Sequence, residues 1–239
     1  MKARHFFFLA CFFLFSKANG QEYREFMQLG LQGSLGFPVG QFRNSIQNSF
    51  GKTGLGGGLH VLFNTRKEGY APVFLGVDFN YLYFGTEKTP ESQFLPPLKT
   101  TFNYFTLGPL FRVVLVDKDH GFVPFVDGLV GLKILNSKTR VDNSLVTTLL
   151  VQEPNEALFG TNYEGFVTGL GLGFFYKSHR KEMEDLATAF FVKLTFEYGD
   201  KTRYVKRNSI AVDPEGQITY QTGHTPTSLI NLQFGILGW

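Results

Sequence analysis

The sequence predicts an all-β chain folded as a single eight-stranded, antiparallel, up-and-down transmembrane β-barrel. Three observations carry that prediction: a removable targeting peptide, eight segments in which apolar and polar residues alternate with period two, and connections that alternate between long and short. An antiparallel barrel with both ends on one side of a membrane sends every odd-numbered connection to the far side. Bacterial barrels make those connections long and the near-side ones short. The odd connections run approximately from Pro38 to Lys52, Gly85 to Lys99, Asn136 to Asn162 and Gly199 to Pro226. The even ones, Asn64 to Pro72, Asp117 to Gly121 and Lys177 to Leu186, are shorter. A soluble sandwich has no reason to segregate its loops in this way.

Residues 1–20 have the three parts of a secretory signal peptide: Lys2 and Arg4, an apolar run from Phe6 to Phe15, and Ala18-Asn19-Gly20 before Gln21. The apolar run is too short to span a bilayer. Cleavage after Gly20 is therefore expected, leaving the barrel domain over residues 21–239. It would remove Cys11, the one cysteine of the chain, and with it disulfides, thiolate metal sites and cysteine catalysis. It would also remove Lys2, Arg4 and Lys17, three of the 23 Lys+Arg, and no acid. The remaining bases then equal the 20 Asp+Glu, so the basic balance belongs to the leader and nothing in it points to nucleic acid. No linker, low-complexity tract or repeat divides the rest, which reads as one domain.

In a membrane barrel the outward face is apolar and the lumen can be polar, so each strand alternates over about ten residues. The first strand sets Leu29, Leu31, Leu35 and Phe37 outward against Gln28, Gln32 and Ser34. The second sets Leu55, Leu59, Val61 and Phe63 against Gly54, Gly56, Gly58 and His60. In the third, Val73, Leu75, Val77, Phe79, Tyr81 and Tyr83 oppose Gly76, Asp78 and Asn80. The fourth turns Phe105, Leu107, Phe111 and Val113 outward and Thr106 and Arg112 inward. The fifth, from about Phe122 to Leu135, gives Val126, Val130, Leu132 and Ile134 to lipid and Asp127 and Lys133 to the lumen. The sixth opposes Leu170, Leu172 and Phe174 to Gly169, Gly171 and Gly173. The seventh opposes Phe190, Val192, Leu194, Phe196 and Tyr198 to Lys193, Thr195 and Glu197. In the eighth, Ser228 to Trp239, Ile230, Leu232, Phe234 and Ile236 face outward and Asn231 and Gln233 inward. Aromatic rings near strand ends supply a membrane girdle: Tyr81, Tyr83 and Tyr198 on one side, Tyr176, Phe190 and Trp239 on the other.

An eight-stranded barrel is just wide enough for side chains to fill. The six lumen charges, Asp78, Asp127 and Glu197 against Arg112, Lys133 and Lys193, are balanced. A network that plugs the barrel and fixes register is expected in preference to a gated ion path, because a buried charge without a partner costs several kcal/mol. The alternating glycines form no G-x-G-x-x-G fingerprint and no helix follows them. They read as lumen positions that make room for long side chains, and no cofactor is expected. Of the histidines, His5 lies in the leader, His120 and His179 in near-side turns, His60 in the lumen and His224 in the last long connection. His224 with Ser228 is the one local pairing relevant to hydrolysis, and a solvated loop histidine is its simpler reading. No metal set or catalytic site is expected.

Function is then left to the long loops, where binding residues concentrate on rigid scaffolds. Residues Ile210 to Val212, a turn at Asp213-Pro214-Glu215-Gly216, and Gln217 to Thr222 predict a hairpin projecting beyond the bilayer. The third long loop holds Leu145, Val146, Leu149, Leu150 and Val151, apolar enough to fold over the mouth or to contact a partner.

Three features, Gly36-Phe37-Pro38-Val39-Gly40-Gln41-Phe42, Gly54-Leu55-Gly56-Gly57-Gly58 and the aromatic Trp239, give the chain a resemblance to small outer-membrane barrels. It resembles OmpA-like and OmpX-like barrels in strand number, and is similar to the PorT or porin family of barrel proteins. The resemblance implies an outer-membrane protein with both termini in the periplasm, contacting membrane lipid and lipopolysaccharide, as a monomer or within a larger complex. It also makes a secretion assembly a conceivable partner. The expected role is non-enzymatic: an envelope component, or a subunit or receptor of a surface or secretion assembly acting through its outer loops. The alternatives are a narrow gated channel for small solutes and a lipid-modifying enzyme.

Overall fold

A computed structural model describes residues 27–46, 52–65, 72–89, 98–115, 121–141, 157–177, 188–207, 209–212 and 218–238. The strands are β1 (Met27–Val39), β2 (Gly54–Asn64), β3 (Val73–Thr89), β4 (Leu98–Val114), β5 (Phe122–Val141), β6 (Ala157–Lys177), β7 (Thr188–Val205), β8 (Ala211–Val212), β9 (Ile218–Thr219) and β10 (Thr222–Gly238). One helix, α1 (Gly40–Ile46), follows β1. Eight strands close a barrel in the order β1-β10-β7-β6-β5-β4-β3-β2, and β8 and β9 form a separate two-stranded hairpin. Every barrel pairing is antiparallel. This is the expected up-and-down barrel, with β10 as its eighth strand. The leader, the turn at Asp213 to Gly216, the apolar stretch Leu145 to Val151, His120, His179 and Trp239 lie outside the described residues.

Alternation places the side chains as the sequence predicts. Large apolar residues stand exposed on the outer wall of all eight barrel strands, including Leu31, Leu59, Leu75, Leu107, Leu132 and, at 72% exposed, Leu170. On β3 the outward apolar row runs from Val73 to Tyr83. Ten residue steps of about 3.3 Å, tilted by about 40°, make a band about 25 Å tall, the height of a bilayer's hydrocarbon belt. Rings gather at both borders, with Phe122 stacked on Phe174 at 4.7 Å near one and Tyr81 against Phe105 at 5.0 Å near the other.

The strands outrun this band at the end carrying the long connections, here called the loop end. β5 has 20 residues and β6 has 21, about twice the length a membrane strand needs. Residues assigned from sequence to the long connections are therefore partly strand: β3 continues through Thr89, β4 begins at Leu98, and β5 and β6 pair as far as Arg140 with Ala157. The physical reason is that a sheet can keep its ladder after its outward residues turn polar, as at Asn136, Lys138 and Arg140. A register shift between Tyr83 and Thr86 contains Gly85 at φ 107, a left-handed conformation that a side chain would strain.

The interior is layered. One buried apolar cluster, including Leu62, Phe74, Phe125, Phe175 and Phe191, fills the end bearing the chain termini. A second, including Phe42, Ile46, Leu82, Phe84, Phe102 and Tyr204, fills the loop end. Polar residues such as Asn80, Thr106 and Thr195 lie between them, while Arg112 and Asp127 are set within the first cluster, flanked on their strands by Leu110 and Val114 and by Phe125 and Leu129.

Candidate functional site: the barrel interior and the loop-end rim

All six charged residues expected in the lumen point inward and are buried. Four of them meet. Arg112 on β4 and Asp127 on β5 are register partners, which lets the guanidinium grip the carboxylate with two bonds, Nε to Oδ1 at 2.8 Å and Nη2 to Oδ2 at 2.9 Å. Lys193 on β7 reaches the same carboxylate at 3.1 Å and lies 4.0 Å from Asp78. The guanidinium also lies 4.0 Å over the Phe125 ring, a cation–π contact that ties the charge cluster to the apolar residues around it. Gln28 accepts from Arg112 Nη1 at 3.4 Å, and Gln32 donates to Asp78 at 3.4 Å.

The other two stand apart. Lys133 turns toward the loop end, where its ammonium pairs with Asp200 at 2.8 Å and donates to the Asp200 carbonyl at 2.6 Å and to the Thr227 hydroxyl. Glu197 accepts from the Tyr104 hydroxyl and from the Asn231 amide, both at 3.2 Å. The set is thus an Arg112–Asp127–Lys193–Asp78 cluster with two satellites. One of the glycines expected to leave room, Gly171, does so, and Gly30 of β1, outside that set, does the same. Gly171 faces Asp127 and Lys193, where an added Cβ would sit 3.4 Å from each. Gly30 lies against the His60 imidazole, which a Cβ would overlap.

His60 is fully buried, packs edge-on against Phe191 with ring centroids 5.4 Å apart, and lies 3.9 Å from Asp78. Neither of its nitrogens has a hydrogen-bond partner, and the same holds for Gln32 Oε1, Asn80 Nδ2, Thr106 Oγ1 and Asn231 Oδ1. Each such atom costs about 1–3 kcal/mol where it stays without a partner, so this interior is held less tightly by its polar groups than by its apolar ones.

The rim carries a feature that sequence reasoning missed. Residues 38–52 read as a polar loop, yet Gly40, at φ 58, turns the chain into α1. That helix lowers Phe42 and Ile46 into the barrel mouth, where both are buried. The i, i+4 spacing of these two apolar residues was the signal. Tyr204 fastens the helix by donating to the Ser45 carbonyl at 3.1 Å. Outside the plug, Gln41, Asn44, Ser45, Tyr198, Lys201 and His224 line an open polar groove of about 480 Å³. The expected hairpin is present, with Ala211 opposite Thr219 and Val212 opposite Ile218.

His224 is exposed and accepts from Arg203 Nε at 3.4 Å. Ser228 lies four residues further along β10, about 13 Å away at strand rise, so the strand does not bring the two together. Among the described residues no group of three or more His, Cys, Asp or Glu side chains is placed to hold a metal ion.

No protein-family model matches the chain, and no curated protein matches it in sequence. Several solved structures are similar to it. Neisserial surface protein A is 10% identical with a TM-score of 0.49, over 88% of this chain and 95% of that one. A major outer membrane protein from Thermus thermophilus is 11% identical with a TM-score of 0.49, over 89% and 99%. Ail, the attachment invasion locus protein of Yersinia pestis, is 12% identical with a TM-score of 0.40, over 89% and 96%. These are small eight-stranded outer-membrane barrels, and the likeness is one of fold.

Proposed function

We propose that this chain is a non-enzymatic integral outer-membrane protein whose barrel is a closed anchor and whose loop-end rim, facing the outside of the cell, does the work as an envelope component or as a subunit or receptor of a surface or secretion assembly. The observation that carries this reading is the pairing of an apolar outer wall on all eight strands with a packed interior. Soluble monomers rarely expose contiguous apolar patches beyond a few hundred Å², so the wall belongs in lipid. With the lumen filled, the rim is what remains for contact with other molecules. A narrow channel would need a path through both apolar clusters as well as the charge layer.

Fractionation with gel analysis tests the anchor. The protein is expected in outer membranes, with unboiled and boiled samples migrating differently, and recovery as a soluble periplasmic protein would refute the reading. Planar-bilayer recording tests the closed lumen. Steady ohmic steps from the wild type would replace the anchor with a channel, and altered lipid A acylation by the purified protein would replace it with an enzyme.

A further inference from the structure

We propose that Phe234 and Gly235 on β10, set against Gly33 and Gln32 on β1, form a register lock that closes the barrel in one alignment and thereby seats the α1 plug. The lock goes beyond the anchoring role and concerns how the wall and the plug are brought together.

Most barrel pairings join strands that follow each other around the wall in chain order, and each is bridged by a connection whose length limits the register. The pairing of β1 with β10 has no such bridge, since the two strands come from opposite ends of the barrel sequence. Side chains must set it. Alternation cannot, because a slip of two residues keeps every side chain on its own face. The outward rows offer little choice either, with Leu31, Leu35 and Phe37 on β1 facing Ile236, Leu232 and Ile230 on β10.

Two neighbouring rungs remove that ambiguity. Gly33 is the register partner of Phe234, and the ring occupies the space over it: a Cβ on Gly33 would lie 3.0 Å from Cε2 and 3.1 Å from Cζ. The next rung reverses the roles. Gly235 faces Gln32, and β10 runs so close to β1 there that a Cβ on Gly235 would meet the Leu31 carbonyl oxygen. A slip of two residues in one direction sets Gln233 opposite Gln32 and Leu31 opposite Phe234. In the other direction the pairs become Leu237 with Gln32 and Leu35 with Phe234. Either slip brings a side chain into the gap that Gly235 leaves and moves the ring from a glycine onto a leucine. A ring laid over a strand glycine is a device that pins register.

The same alignment places the plug. Helix α1 begins at Gly40, directly after Val39, which is paired with Ser228. Phe42 and Ile46 share the loop-end cluster with Leu229 of β10 and Tyr204 of β7, and Tyr204 donates to the Ser45 carbonyl at 3.1 Å. A two-residue slip would shift β10, and β7 with it, by about 7 Å against β1. No hydrogen bond spans that displacement, so closure in the right register and seating of the helix are one condition.

The test is disulfide trapping in the full chain refolded in mild detergent, with Cys11→Ser throughout and a reporter Phe37→Cys. Its partner is Ile230→Cys for the native register and Ser228→Cys or Leu232→Cys for the two slipped ones. In the wild-type background the bond between positions 37 and 230 is expected to dominate. Phe234→Ala should raise the slipped bonds about fivefold or more, the scale of one strong cross-strand pair, and amide exchange over residues 40–46 should rise with them. The exchanged pair Gly33→Phe/Phe234→Gly, which lays a ring over a glycine from the opposite strand, should restore the native bond. Phe111→Ala, which removes an outward ring far from the seam, should trap as wild type does. Slipped bonds that stay at the wild-type level in Phe234→Ala, or that rise equally in Phe111→Ala, overturn the lock. Native trapping with raised exchange over residues 40–46 would separate the plug from the seam and overturn the coupling. Boiled and unboiled gel mobility reports folding of each variant, and Phe234→Leu replaces Phe234→Ala if that fails to fold.

Discussion

At the termini end, the interior is closed by side chains that the barrel strands themselves turn inward, Leu62, Phe74, Phe125, Phe175 and Phe191 among them. At the loop end, Phe42 and Ile46 complete the closure from a seven-residue helix that is not part of the sheet. The difference separates two kinds of plug. Strand-borne rings cannot leave without breaking the wall, whereas Phe42 and Ile46 are carried by a helix outside the ladder, held by their burial in the loop-end cluster and by the Tyr204 bond to the Ser45 carbonyl. The Arg112–Asp127 pair is built into the strand-borne plug, since the two are cross-strand partners in one ladder with Leu110, Val114, Phe125 and Leu129 around them.

The largest effect is expected from Arg112→Ala. It strips Asp127 of its bidentate partner in a buried layer and should cost about 3–5 kcal/mol, measured by urea unfolding in detergent or lipid with gel mobility as readout. The same variant should remain closed in planar bilayers because both apolar plugs persist. Steady conductance would show that the charge layer was the barrier. Phe125→Ala follows, at about 3–4 kcal/mol for a buried ring lost from the strand-borne plug, again in global unfolding. Phe42→Ala sharpens the contrast: the global midpoint should move by less than about 1 kcal/mol, because the helix can detach locally. Amide exchange over residues 40–46 should rise at the same time, and a global loss as large as that of Phe125→Ala would erase the distinction between the plugs. The smallest effect belongs to Asp200→Asn. Its carboxylate is 47% exposed, and the buried Lys133 keeps the residue-200 carbonyl and the Thr227 hydroxyl as acceptors, so the expected loss is below about 1 kcal/mol.

The outer wall was legible because its signal is one-sided. On β3, Val73 to Tyr83 alternate with Gly76, Asp78 and Asn80, and a period of two is visible when the opposite face is polar. The plugs hid where both faces are apolar. Phe174 and Phe190 face outward as expected, but their neighbours Phe175 and Phe191, inward rings where the alternation looked for polar residues, went unnamed and are buried. Charge partners were legible by layer more than by contact. Arg112 and Asp127 pair directly across adjacent strands, but Lys133 finds Asp200 beyond a point where the inward phase of β7 passes from Gly199 to Thr202. Strict alternation cannot foresee that slip. On the outer face, Asn103 donates to Asn136 at 2.9 Å and Asn136 to Asn162 at 2.7 Å, a row that went unread for a related reason, since the three become neighbours only once register is known.

The pairing of β1 with β10, from Leu29 with Gly238 to Val39 with Ser228, has a consequence for how the protein is made. Until those two strands meet, each offers a row of amide and carbonyl groups with no partner, and in hydrocarbon every such group costs several kcal/mol. A half-wound sheet is thus unwelcome in the bilayer, and the strand synthesised last must arrive before the first can rest. Insertion and closure are bound into one event, so a chain stalled short of β10 is a candidate for degradation and not a smaller barrel.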